Sequence, residues 1–475
     1  MPFIDRVAFC TPTLASVYFD EECEKDLTDM IRLSYNHPSV IMYSIGNEVY
    51  FKDVDAVSKI SRKLTSLCKK LDPSRAVINA LNPLMSVMGN SKNPTQGRDD
   101  MVNPRREGKS SALAGSQLVN TVISFLPLVT KLVGSEKGMR KRNAVLEPLD
   151  IVGFNYGDFL YEPQHQDYPN RVLCGSETFP AKIEKTWNKV KEMPWVVGDF
   201  LWTAWDYIGE TGVGAVGYDE KVAFTQPFPT LTAGCANIDL TGLINCQGYY
   251  TAIVFGQYKK PHIAVHPVNH AGQKLYIGEW RMTDAVHSWS WHGLSGRKTQ
   301  VDVYSGANTV ELFQDGVSLG KKTVEHCMAV YDVVYRDGEL RAVEYDKNGN
   351  ALAEDVLRTA GKTMRLTVSP EKEQIQAGGS GLLYIPMELT DEDGIRMIME
   401  ERQIKIEVEG SATLLAVGNG ALVNEDLQPY VGNTIRSHEG RALAILRSTE
   451  DEGEIKVTVT AEGLEPVVLS LSASF

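Results

Sequence analysis

Through residues 1–260, apolar runs of strand length alternate with stretches of helical periodicity. The strand-like runs are 40–45, 76–80, 150–156, 171–175 and 195–202. Between them, 22–33 and 54–70 read as amphipathic helices; in the second, Val57, Ile60, Leu64, Leu67 and Leu71 recur at helical spacing. Apolar strands separated by helices predict a parallel sheet built from βα units, either doubly wound or closed as a (β/α) barrel. One stretch breaks the rhythm. Residues 83–143 hold Gly, Ser and Asn with basic clusters (Arg105, Arg106, Lys109, then Lys137, Arg140, Lys141, Arg142) and read as an insertion. It is either a solvated excursion or a lid bordering a cleft, since long loops in compact domains are often functional.

Beyond Pro261 the period changes to two. Runs at 300–304, 309–313, 340–345, 384–389 and 454–460 alternate apolar with polar residues. They are separated by Asp315-Gly316, Lys347-Asn348-Gly349 and Asp393-Gly394. This pattern predicts two β-sandwiches, at 261–360 and 361–475, following the α/β domain at 1–260.

Composition narrows the class without naming an activity. The 475 residues carry 48 Lys+Arg against 61 Asp+Glu, a formal charge of −13. That net charge argues against a nucleic-acid binder, whose affinity depends on concentrated positive charge. The amino-terminal segment has no basic stretch followed by an apolar run, and the most apolar window, 118–133, is interrupted by Pro127 and Lys131. Seven cysteines without a Cys-x-x-Cys pair argue against a disulfide framework or a structural zinc site. The expectation is a reduced, cytoplasmic protein that engages neither membrane nor nucleic acid. His262, His266 and His270 are spaced like a helical metal stripe, but Pro261 and Pro267 oppose a helix, so neither a metal nor a cofactor is expected.

The chemistry concentrates at strand ends. An apolar strand runs out through Ile45-Gly46 into Asn47-Glu48. A carboxylate at the carboxyl end of a barrel strand is a candidate catalyst; the alternative is that Glu48 caps the following helix. A second strand repeats the design and ends in Gly175-Ser176-Glu177, with small residues leaving room for a ligand. A third ends in Phe154-Asn155-Tyr156, and a fourth leads into Trp202-Thr203-Ala204-Trp205-Asp206-Tyr207. Paired carboxylates beside aromatic rings suit glycosidic bond cleavage, in which one acid protonates the leaving oxygen and the other attacks the anomeric carbon or activates water. Asp206 and Glu210 sit near the last strand and read as hydrogen-bonding or ion-pair residues.

These strings resemble glycoside hydrolase family two, the family of β-galactosidases, β-glucuronidases and β-mannosidases. The matching segments are NHPSVIMYSIGNE (36–48), DIVGFNYGDFLYE (150–162), GSET (175–178) and GDFLWTAWDYIGE (198–210). The resemblance implies a (β/α)8 TIM barrel followed by immunoglobulin-like β-sandwiches. It also implies a retaining mechanism with Glu48 as general acid/base and Glu177 as nucleophile. Asn47 would bind the sugar 2-hydroxyl, Tyr156 would hydrogen-bond the nucleophile, Trp202 would stack at the glycone subsite, and Asn155 would join them in substrate binding. Activity would follow a bell-shaped pH curve.

Within that family GSET is most like bacterial β-galactosidases. Residues 234–260 lack the Asn-x-Lys pair with which β-glucuronidases grip a sugar carboxylate, while Phe179-Pro180 stands where some β-galactosidases place a histidine. β-Galactosidase is therefore the first expectation, with β-glucuronidase and β-mannosidase as alternatives. Counting strands raises a difficulty. Glu48 should follow the fourth barrel strand, yet its own strand begins near Val40, and 1–260 without its insertion is short of the ~250 residues of a full barrel. The expected barrel is thus partial, strands four to eight. The expected partners are a β-galactoside and either further copies of the chain or a chain supplying the remaining strands. The rival reading is an inactive fragment acting as a carbohydrate- or protein-binding module.

Overall fold

A computed structural model describes residues 14–49, 53–83, 142–223, 225–423 and 430–475. All but the ends of the 83–143 insertion, and the whole 118–133 window, lie outside the described residues. Two compact units divide the chain at Trp202 and Thr203, so residues 203–260 pack within the second unit.

The first unit is built on five parallel strands: β1 (Met42–Asn47), β2 (Ala76–Leu81), β3 (Ile151–Asn155), β4 (Val172–Thr178) and β5 (Val196–Leu201). Their order in the sheet is their order in the chain. A doubly wound sheet reverses its order midway, whereas a singly wound barrel does not, so the topology selects the barrel-type alternative. Helix α1 (Leu14–Ser34) precedes β1 and α2 (Val54–Leu71) joins β1 to β2. Helix α3 (Tyr161–Asp167) lies between β3 and β4, and α4 (Ile183–Glu192) between β4 and β5. Of the predicted helical stripe, Val57 and Leu64 are buried and Ile60, Leu67 and Leu71 half-buried; Leu64 and the neighbouring Cys68 pack in one cluster with Leu27, Ile31, Tyr43, Ile45 and Val77.

Pairing is irregular at the carboxyl ends. Between Ser44 and Asn47, β1 advances three residues while β2 advances two, from Ile78 to Ala80. Between Gly175 and Glu177, β4 likewise carries one residue more than β3. An extra residue bends a strand and re-aims its side chains, and bulges of this kind cluster beside active sites. Here each extra residue falls just before a candidate carboxylate.

In the second unit, helix α5 (Cys246–Val254) and a two-stranded ribbon of β6 (Val216–Tyr218) with β8 (Leu275–Ile277) accompany two pairs of sheets. The first pair comprises β7 (His262–Val265), β9 (Lys298–Tyr304) and β12 (Met328–Val334). Facing it are β10 (Thr309–Gln314), β11 (Val317–Thr323), β13 (Glu339–Tyr345) and β14 (Ala351–Arg358). Their core holds Ile263, Val301, Leu312, Tyr331 and Trp289. The Asp315-Gly316 signal forms the β10–β11 hairpin turn, and both residues take positive φ, 50° and 78°. The second pair sets β15 (Arg365–Val368), β17 (Leu382–Thr390), β21 (Arg441–Ser448) and β19 (Ala412–Gly418) against β16 (Gln374–Gln376), β23 (Val467–Ser474), β22 (Gly453–Ala461), β18 (Gln403–Gly410) and β20 (Thr434–Arg436). These strands run from Arg365–Val368 (β15) to Val467–Ser474 (β23) around Leu383, Ile385, Ile404, Leu446 and Val457.

Among the described residues no helix is long and apolar enough to cross a membrane. Cys23, Cys68, Cys174, Cys235 and Cys246 are buried thiols. Burial pushes Cys68 up to about 11 and Cys174 to about 12, which leaves them unreactive near neutrality.

Candidate active site

Glu48 follows β1 directly and takes φ 51°, a left-handed conformation that costs a non-glycine residue free energy. Tyr156 follows β3 and takes φ 54°. Backbone strain of this kind is retained where surrounding structure over-determines it. Here Glu48 N donates to Ala80 O at 2.7 Å, and Tyr156 N donates to Glu177 O at 2.7 Å. The capping alternative for Glu48 fails: the N-cap of α2 is Asp53, whose carboxylate accepts from Ala56 N at 3.0 Å.

The Glu48 carboxylate is buried, and two amides converge on its Oε1. Asn82 donates from Nδ2 at 2.8 Å and Asn155 from Nδ2 at 3.1 Å. The Asn155 amide also donates to Asn47 Oδ1 at 3.0 Å and accepts at Oδ1 from Ser176 Oγ at 2.7 Å. Strands one interval apart lie ~4.8 Å from each other, so β1 and β3 are ~9.6 Å apart on a flat sheet. That one Asn155 side chain bonds Asn47, Glu48 and Ser176 therefore requires curvature and inward-aimed side chains, which the bulges supply. The orientation of this amide is dictated as well: reversed, its oxygen would face the Glu48 carboxylate.

Glu177 lies within β4, not beyond its end, because the strand continues to Thr178. It too is buried. Trp202 N donates to Thr178 O at 3.1 Å, which ties the segment after β5 to the residue next to Glu177. Phe179 stacks on Tyr156 with ring centroids 4.1 Å apart and 22° between planes, and the Lys182 ammonium sits 4.8 Å above Phe179. Space is reserved around the network: a Cβ on Gly153 would lie 2.9 Å from Ser176 Oγ, and one on Gly46 3.0 Å from Asn79 Oδ1.

All six candidate residues, Asn47, Glu48, Asn155, Tyr156, Glu177 and Trp202, thus fall at the carboxyl ends of β1, β3, β4 and β5. Direct side-chain bonds join Asn47, Glu48 and Asn155; backbone bonds bring in Tyr156, Glu177 and Trp202. Sequence reasoning missed Asn82, Ser176 and Phe179 as participants. Asn82 carries a usable signal, being the first polar residue after the apolar strand β2.

The chain matches the description "Glycosyl hydrolases family 2, TIM barrel domain" over residues 17–90 and "Glycoside hydrolase family 2 C-terminal domain 5" over residues 366–470. It belongs to glycoside hydrolase family 2. Residues 296–353 match a domain of unknown function (DUF4982). The beta-galactosidase BoGH2A of Bacteroides ovatus is 23% identical over 507 residues, covering 96% of this chain and 52% of that protein. A solved glycosyl hydrolase family 2 member from Bacteroides cellulosilyticus superposes with a TM-score of 0.80 at 28% identity, over 99% of this chain and 54% of its own. A solved beta-glucuronidase of family 2 shares the fold with a TM-score of 0.59 at 14% identity, over 95% of this chain and 40% of its own. The chain spans about half the length of the Bacteroides proteins it matches.

Other family-motif residues serve the second unit's own structure. Asp206 accepts from Gly234 N at 3.0 Å, and Glu210 accepts from Tyr207 OH. The histidines form no helical stripe: His262 lies in β7, His266 beyond its end and His270 in a 3-10 turn. His262, His287 and Asp355 do place ligand-type atoms within 4.8 Å of one another. However, the two imidazoles stack 4.2 Å apart with 16° between planes. Their in-plane lone pairs then run nearly parallel and cannot converge on an ion ~2.1 Å from each nitrogen.

Proposed function

We propose that this chain carries the catalytic carboxylates of a retaining exo-β-glycosidase acting on terminal β-galactosides, with Glu48 as acid/base and Glu177 as nucleophile. The observation that carries the reading is the Asn155 amide, which bonds the acid/base and the residue preceding the nucleophile at once. Asn82 and Asn155, both donating to Oε1 of Glu48, hold its carboxyl group in place. Glu48 protonates the glycosidic oxygen as Glu177 attacks the anomeric carbon; the C–O bond breaks and a glycosyl ester forms on Glu177. Glu48 then takes a proton from water, which releases the sugar with its configuration retained. This chemistry calls for carboxyl groups roughly 5–5.5 Å apart. Asn47, its Oδ1 held by Asn155, offers amide hydrogens to the sugar 2-hydroxyl, while Tyr156 and Trp202 frame the nucleophile and the sugar face.

The name of the B. ovatus relative supports galactose as the glycone, as does the GSET string. Hydrolysis of nitrophenyl β-galactoside, β-glucuronide and β-mannoside, compared between this chain and Glu177→Gln, tests the reading. Galactoside turnover in the parent and loss of it in the variant support the proposal. A preference for another glycone overturns the specificity, and turnover of none overturns the enzyme reading in favour of a binding module.

A further inference from the structure

The ladder between β4 and β5 is broken on both sides of one residue pair. From Leu173 to Gly175, β4 advances two residues against three on β5; from Gly175 to Thr178 it advances three against two, from Asp199 to Leu201. The two irregularities compensate, and Asp199 sits at the pivot opposite Gly175. On the β5 side, therefore, backbone pairing alone does not fix β4 where it carries Glu177.

Side chains supply what the ladder lacks. Thr178 Oγ1 donates to Asp199 Oδ1 at 2.5 Å, and Thr186 Oγ1, buried on α4, donates to Asp199 Oδ2 at 2.7 Å. The same Thr178 accepts at its carbonyl oxygen from Trp202 N at 3.1 Å. Gly175 makes room for the carboxylate, since a Cβ there would lie 2.0 Å from Asp199 Oδ1 and 2.7 Å from Tyr161 OH. Burial raises the proton affinity of Asp199, an effect the Thr178 and Thr186 hydroxyls oppose. An acid in such surroundings is a burden on stability, and an amide would fit the same two hydroxyls at lower cost.

We propose that Asp199 is a positioning residue for the glycosidase reaction: it anchors Thr178 and so sets the placement of the adjacent nucleophile Glu177 and of Trp202. The proposal rests on the reading of Glu177 as nucleophile. Asp199 touches no reacting atom; its influence passes through one hydroxyl and the two peptide units flanking Thr178.

The test compares the full chain with Asp199→Ala, Asp199→Asn and Thr178→Val by crystallography, thermal unfolding and steady-state hydrolysis of nitrophenyl β-galactoside. In Asp199→Ala, Glu177 and Trp202 shift or split into alternate positions, and kcat falls about 100-fold with KM little changed, the scale expected for a misplacement of ~1 Å. Asp199→Asn accepts from Thr178 through its oxygen and donates to Thr186 through its nitrogen. It restores both placements and most of kcat without lowering the unfolding temperature. Thr178→Val keeps the β-branched shape, loses the hydroxyl and reproduces the Asp199→Ala displacement even if Asp199→Ala does not fold. Glu177 and Trp202 left unmoved in the variants that fold, or kcat unchanged in an active parent, overturns the positioning role. A parent without turnover overturns the glycosidase reading instead, and the crystallographic comparison still decides the anchor.

Discussion

Asn155 reaches across 107 residues of chain to place its amide nitrogen 3.1 Å from Oε1 of Glu48. The Glu48 carboxylate dictates the orientation of that amide, and its other two hydrogen bonds, to Asn47 and from Ser176, hold it in place. Asn155→Ala removes a donor from a buried carboxylate, a loss of about 1.5–3 kcal/mol or roughly 10- to 100-fold in kcat/KM. Asn155→Asp costs more, because a second carboxylate beside Glu48 favours its protonated form and moves the pH–rate profile to higher pH. Profiles of kcat/KM for the three proteins check both outcomes, and an unaltered Asn155→Ala enzyme would refute the network's role.

His266 gives the second unit a stability that is lost at alkaline pH. Its ring is bonded at Nδ1 to Asp284 Oδ1 at 2.5 Å and at Nε2 to Asp302 Oδ2 at 3.1 Å. Burial lowers its proton affinity, but the hydrogen bonds to the two carboxylates outweigh burial and raise the pKa from 6.5 to about 10. The folded value lies above the unfolded one, so the contribution is complete below pH 6.5 and is lost as pH rises through about 10. The unfolding midpoint of this unit therefore declines across that interval, and His266→Gln flattens the decline. Calorimetry at a series of pH values measures it.

Arg441 stitches the last pair of sheets to the segment that follows Thr203. Its guanidinium donates to Asp239 and to Thr241, 202 and 200 residues away, and both partners of the ion pair are largely buried. Arg441→Ala strands the Asp239 carboxylate and destabilises the second unit by about 3 kcal/mol. Arg441→Lys recovers only part of this, since a single ammonium cannot reproduce the fork. Urea titration monitored by tryptophan fluorescence distinguishes the three; equal midpoints would sink the claim.

The outer strands of the five-stranded sheet leave apolar surface in solvent. Ile41, just before β1, is 65% exposed, and Val197 and Phe200 on β5 are 54% and 49% exposed. Among the described residues β1 and β5 end the sheet, and edge strands with apolar flanks favour association. In sedimentation velocity the chain runs heavier than a monomer, and Val197→Thr with Phe200→Ser shifts it toward one. A monomer at all concentrations contradicts this.

Much of the first unit was legible from periodicity. All five strands and the helix at Val54–Leu71 fall within about three residues of the apolar runs that announced them. The strand-end positions of Glu48 and Glu177 were legible because small residues followed by an acid interrupt an apolar run. What stayed hidden was partnership. Asn82 donates to Glu48 across 34 residues, and nothing local to either residue says so. Asp199 was hidden differently, since it sits inside a run that reads as apolar strand and shows its purpose only opposite Gly175.

By itself the sequence determined which segments are strands and helices and which strand ends bear acids. Those properties follow from side-chain periods of 2 and 3.6 that neighbouring residues share. Tertiary structure alone decided the sheet order, the bulges before Glu48 and Glu177, and the amide that ties Glu48 to Ser176. Register between strands is a balance over whole faces, and one extra residue in a ladder re-aims every side chain beyond it. The site exists where those separate choices meet.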